Sequence, residues 1–141
     1  MLPFVLRVKS DAQTCCMVEH TFPQEPFREC YENRSTTSMD NQTVICIHKC
    51  YYEAIGMFSA DGKLQTESYF KYRDALDPTL RDSFSFSLKV CANILFKLIK
   101  QNVTDWSKMR CSPLPYLFNR CLMEVGIANC PAERWMNCEL K

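Results

Sequence analysis

Residues 78–102 read PTLRDSFSFSLKVCANILFKLIKQN, and the periodicity of this stretch decides the fold. At about 100° per residue, Leu80, Phe84, Leu88, Cys91, Leu95 and Leu98 form one stripe, and Phe86, Val90 and Ile94 widen it to roughly 220°. Asp82, Lys89, Asn93 and Lys100 fill the remainder. Asp77 and Pro78 supply a capping side chain and a first-turn proline just ahead of the run. An apolar arc of this width predicts a long helix through the middle of the molecule, with neighbours on several sides.

Upstream, Val44, Ile47, Tyr51, Ile55 and Phe58 recur at helical spacing, with Gly56 as a cap or bend. This predicts a helix from Val44 that presents Tyr51, Ile55 and Phe58 on one face. Ser59 to Lys63 reads as a turn, and Thr66, as a cap, opens a short helix reaching Leu76. Before Thr43 the text is polar and broken by Pro3, Pro23, Pro26 and the Ser35 to Ser38 cluster, with room for one short helix at about 26–33. Downstream, Pro113 to Gly126 gives a further helix carrying Leu117, Cys121 and Leu122, and Cys130-Pro131 stops it before a tail held by Cys138. There is no internal repeat and no linker.

Composition agrees with this reading. A chain of 141 residues is the length of one domain, and only 3 glycines leave little material for hairpin turns or phosphate-cradling loops. The expectation is therefore all-α: a single compact, disulfide-stapled domain over residues 1–141, with five to seven helices. A net charge of +1 offers neither a basic stripe for nucleic acid nor a polybasic anchor for lipid.

The 10 cysteines are an even number and far more than a reducing compartment normally sees, so they read as disulfides. Three sequons, at Asn33, Asn41 and Asn102, fit the same compartment as glycosylation candidates. No apolar run reaches the roughly 18 residues of a membrane span, and Met1 to Leu6 is too short for a signal sequence. The chain reads as mature, secreted protein that is not inserted into a membrane.

Sequences that could carry catalysis are sparse. The stretch from Cys15-Cys16 to His20 is similar to the paired-cysteine helix of secreted phospholipases. Here the histidine stands one residue late, Thr21 replaces the orienting Asp, and a Gly-rich calcium loop is missing. Cys46, His48 and Cys50 do not make a metal cluster either, because residues two apart on a helix point about 200° apart. Asp11, Glu19, Glu25 and Glu29 are scattered in proline-broken text, so paired-carboxylate chemistry has no scaffold. The reading is a protein without enzymatic activity, metal or cofactor.

The cysteine spacing carries the most information. Cys46-Ile47-His48-Lys49-Cys50, followed by Gly56 and by Asp61-Gly62-Lys63-Leu64, resembles the second and third cysteines of the insect odorant-binding proteins with their glycine-marked turn. Cys121 and Cys130 resemble the fifth and sixth. The doublet Cys15-Cys16, the added Cys111, Pro131 directly after Cys130, and Cys138 are similar to the Plus-C subclass, whose members usually carry twelve cysteines. The resemblance implies a secreted helical protein that encloses small apolar volatile ligands such as odorants, with a membrane odorant receptor as a downstream partner. It also implies the interlocked pairing of that family: Cys46 with Cys121, Cys91 with Cys130, and Cys50 with Cys15, Cys16 or Cys30, leaving Cys111 for Cys138.

The aromatic and aliphatic faces traced above would line such an enclosure. Tyr51, Ile55, Phe58, Phe84, Leu88, Leu95, Phe118 and Leu122 are the expected ligand-binding residues, converging on one apolar cavity. The alternative is a secreted protein-interaction module with the same staples and a filled core.

Overall fold

The structure is a computed structural model, and it describes residues 21–34, 40–101 and 109–131. Cys15, Cys16, His20, Asn102 and Cys138 lie outside these. Five helices account for most of the described chain: α1 (Glu25–Arg34), α2 (Asn41–Ala54), α3 (Thr66–Asp74), α4 (Pro78–Gln101) and α5 (Leu114–Ala128). The domain is all-α and stapled by disulfides, as the periodicity and the cysteine count predict.

Local signals set the helix ends. At the start of α2 the Asp40 carboxylate accepts the Thr43 amide at 2.8 Å, which holds its pKa below the ordinary carboxylate value and starts the helix three residues before Val44. At the other end Gly56, at φ +80°, sits where a left-handed residue closes a helix. Its amide bonds Glu53 O and the Met57 amide bonds Tyr52 O at 2.9 Å, satisfying the last carbonyls. This closure corrects an expectation. The helix stops at Ala54, so Ile55 is its cap and Phe58 lies beyond it, and only Tyr51 of the three rides on helical backbone.

Phe58 instead pairs with Leu64 across the turn at 59–63, where Gly62 takes φ +89°. In α3, Thr66 is the first helical residue rather than the cap. That place belongs to Gln65, whose amide is tied to Met57 O at 2.7 Å, and the helix ends at Asp74 rather than Leu76. Ahead of α4, Asp77 accepts both the amide and the hydroxyl of Thr79 at 2.9 Å.

The helices pack as neighbours in the order α1, α2, α5, α4, α3. The middle of this order therefore belongs to α5, between α2 and the longer α4, and α2 buries Thr43, Ile47, His48, Tyr51 and Tyr52. Leu80, Ser87, Leu88, Cys91 and Leu95 form the buried face of α4, whereas Phe86, Ile94, Phe96 and Ile99 are exposed, Phe96 by 61%. The broad arc read from the sequence thus has a buried side and an uncovered side. Hydrophobicity alone marks both, because a one-sided contact can bury only the residues that face α5 and α3.

Three disulfides between described residues fasten this order. Cys30–Cys50 joins α1 to α2, Cys46–Cys111 joins α2 to the approach to α5, and Cys91–Cys121 joins α4 to α5. Cys50 thus pairs with Cys30, one of its three expected partners. The pairings Cys46–Cys121, Cys91–Cys130 and Cys111–Cys138 are corrected. The reason is positional: the Arg110 amide bonds the Gln42 side chain at 3.2 Å and its guanidinium meets Asp40, which holds Cys111 beside the first turns of α2. Cys121, halfway along α5, faces α4 instead, with its Cα 5.8 Å from that of Cys91. Cys130 is disulfide-bonded as well, to a cysteine outside the described residues. No described helix is long and apolar enough to cross a membrane.

Candidate functional site

The eight residues expected to bind ligand come together. Tyr51, Ile55, Phe58, Leu88, Leu95 and Phe118 are buried in one apolar cluster, and Phe84 and Leu122 are half-buried against it. Every helix except α1 and α3 contributes to this set, and α3 adds its own member in Tyr69, which is fully buried. The sequence reading missed Tyr52, Met57 and Tyr69, all without solvent exposure, and Phe22. Tyr69 and Tyr72, one helical turn apart in α3, were the available signal for that helix's inner face.

The cluster is chiefly aromatic. Phe118 sets its edge against Tyr52, Phe58 and Tyr69, with ring centroids 5.7 to 6.4 Å apart, and Tyr69 stacks on Phe84 at 4.2 Å. Edge-on arrangements of this kind match the positive rim of one ring to the negative face of the next.

The tyrosine hydroxyls all turn to protein acceptors. Tyr51 donates to Pro23 O at 2.7 Å, while Tyr52, Tyr69 and Tyr72 donate at 2.8 Å to Asn119 Oδ1, Phe84 O and Ile55 O. Burial raises the pKa of all four, so they stay neutral. What they show one another is carbon. Among the described residues no buried polar side-chain atom lacks a partner.

Among the described residues His48 is the one imidazole, fully buried between the edges of Phe27 and Tyr116. Its Nδ1 lies 2.9 Å from Val44 O, so Nδ1 carries the proton, and Nε2 accepts from Asn119 Nδ2 at 3.4 Å. Asn119 links His48 to Tyr52 through its other atom. Burial pushes the imidazole pKa down to about 4, against the smaller opposing pull of the Val44 carbonyl. Both ring nitrogens are committed to hydrogen bonds, and Cys46 and Cys50 are tied to Cys111 and Cys30. Among the described residues no three His, Cys, Asp or Glu side chains come close enough together to hold a metal ion.

Asn33 and Asn41 are exposed, at the end of α1 and the start of α2. No protein-family model matches this chain, and neither does any curated protein or solved structure.

Proposed function

We propose that this protein is a secreted carrier that binds and solubilises small hydrophobic ligands of the odorant type in an extracellular fluid, without catalysing a reaction. The observation that carries this reading is the aromatic cluster. Residues from α2, α4, α5 and the turn after α2 meet in one apolar region whose tyrosine hydroxyls are spent on protein acceptors. Such a lining recognises carbon and offers an apolar molecule a better environment than water.

The disulfides support the same reading. In chain order the six cysteines of the three described disulfides join first to third, second to fifth and fourth to sixth. That is the interlock implied by the resemblance to the odorant-binding proteins, with Cys111 and Cys121 in the fifth and sixth places instead of Cys121 and Cys130. Staples between α1 and α2, at the approach to α5, and between α4 and α5 would keep the wall of a binding site rigid. At about 0.4 kcal/mol per heavy atom, a ligand of roughly 20 atoms binds with about 8 kcal/mol, near micromolar, which permits capture and release.

The exposed Phe86, Ile94, Phe96 and Ile99 on α4 favour a second reading, a secreted module whose partner is another protein. Titration with N-phenyl-1-naphthylamine separates the two. The carrier enhances the dye's emission saturably, at one dye per chain and low micromolar concentration. A module with a filled core gives no saturable enhancement.

A further inference from the structure

We infer that the position of the Phe22 ring is a subsite for a planar apolar ring of the ligand, and that Phe22 is its resident occupant, displaced when ligand enters. The inference rests on the carrier reading and locates one end of its site. Four rings surround Phe22: Tyr52 at 5.9 Å, Tyr69 at 6.3 Å, Tyr72 at 5.2 Å and Phe84 at 6.0 Å, all inclined by 61 to 84° to it. These belong to α2, α3 and α4, and each holds its place without help from Phe22. Tyr52 is fixed by Asn119, Tyr72 by Ile55 O, and Tyr69 by Phe84 O and by stacking on the Phe84 ring. The box is therefore built on helices and closed by hydrogen bonds that do not involve its occupant.

The occupant is different in kind. Phe22 stands on irregular backbone ahead of α1, in a stretch tied to the helices through Pro23 O, which accepts from Tyr51. The Gln24 side chain bonds the carbonyl of Phe22, and Gln24 O accepts the Phe27 and Arg28 amides at 3.1 and 3.3 Å, so the backbone after Phe22 is anchored while no hydrogen bond holds the ring itself. Phe22, Tyr72 and Phe84 are half-buried, whereas Tyr52 and Tyr69 behind them are fully buried, so the ring stands at the mouth of the box and not at its floor. Because the hydroxyls of Tyr52, Tyr69 and Tyr72 are bonded to protein acceptors, the walls offer ring edges and faces alone. That chemistry selects an aromatic or similarly flat apolar group over a hydroxylated one.

Displacing a resident group costs affinity in proportion to how rarely the box stands open. The test uses the full chain labelled with 4-fluorophenylalanine and titrated with N-phenyl-1-naphthylamine, the Phe22 fluorine resonance being identified by its loss in Phe22→Leu. The expected result is that this resonance moves in step with dye saturation while that of fully buried Phe118 moves less, and that Phe22→Leu binds the dye about tenfold tighter. Saturable dye binding with an unmoved Phe22 resonance, or with equal or weaker binding by a folded Phe22→Leu, overturns the subsite and leaves the carrier reading standing. Absence of dye binding by the unsubstituted protein overturns both.

Discussion

Replacing Cys46 and Cys111 together by serine lowers the unfolding free energy by about 4 kcal/mol, the largest loss expected among the three disulfides between described residues. The bond closes a separation of 65 residues, against 20 for Cys30–Cys50 and 30 for Cys91–Cys121. In the chain-entropy model the cost of freeing the unfolded chain grows with that length, from roughly 3 kcal/mol for the shortest loop to just over 4 for the longest. Cys46 and Cys111 are both half-buried, so the serine hydroxyls add little desolvation cost. Urea melts at pH 7 measure the effect, with the slope checked for two-state behaviour. A loss below about 1 kcal/mol, or a larger loss from the Cys30 and Cys50 pair, would contradict this account of how the fold is held.

Acid destabilises the protein through His48. The folded imidazole has a pKa of about 4 and the unfolded one the ordinary 6.5, so between these values the unfolded chain binds a proton that the folded core refuses. Stability is therefore flat with respect to this group above pH 6.5, falls as pH drops toward 4, and loses nothing further below that. The whole step is about 3 kcal/mol, from roughly 1.4 kcal/mol per pKa unit. The cause of the shift is burial of the ring, and protonation at Nε2 would in addition turn it from an acceptor into a donor facing the Asn119 amide. Melts of the protein and of His48→Gln at intervals from pH 7.5 to 4 isolate the effect, since carboxylates and His20 titrate alike in both. The difference between the two curves should grow through this window. Parallel curves would show that His48 is not buried as a neutral base.

The helical architecture was legible because its signals are local. Leu80 to Leu98 recur with the helix period, Asp77 caps its own turn, and Gly56 follows the end of α2 with a left-handed backbone that side chains rarely adopt. That the eight apolar residues named from the sequence would gather in the core was legible for the same reason, since a strongly apolar position on a helix usually faces the core. What was hidden depends on how helices meet. Nothing local in Phe86, Ile94 or Phe96 distinguishes them from Leu88 and Leu95, and only the placement of α5 and α3 decides which side of α4 is covered.

The cysteine pairings were hidden likewise. Spacing fixes which turn a cysteine sits on, but Cys111 reaches Cys46 because Arg110 is held at the start of α2, a contact across 68 residues. Tyr52 reaches Asn119 over a similar distance, and Tyr51 reaches a carbonyl in the irregular stretch before α1. Such acceptors carry no sequence signature. They are nonetheless what lets an aromatic core keep its hydroxyls and still present carbon.

The central claim is that an apolar ligand lies against the residues shared by α2, α4 and α5. Protein labelled on its Ile and Leu methyl groups and saturated with N-phenyl-1-naphthylamine tests it directly, by the nuclear Overhauser contacts between those methyls and the dye. The account predicts contacts to Ile55, Leu88, Leu95 and Leu122, buried or half-buried around the aromatic cluster. Contacts confined to Ile94 and Ile99 on the exposed face of α4, or none at all, would contradict it.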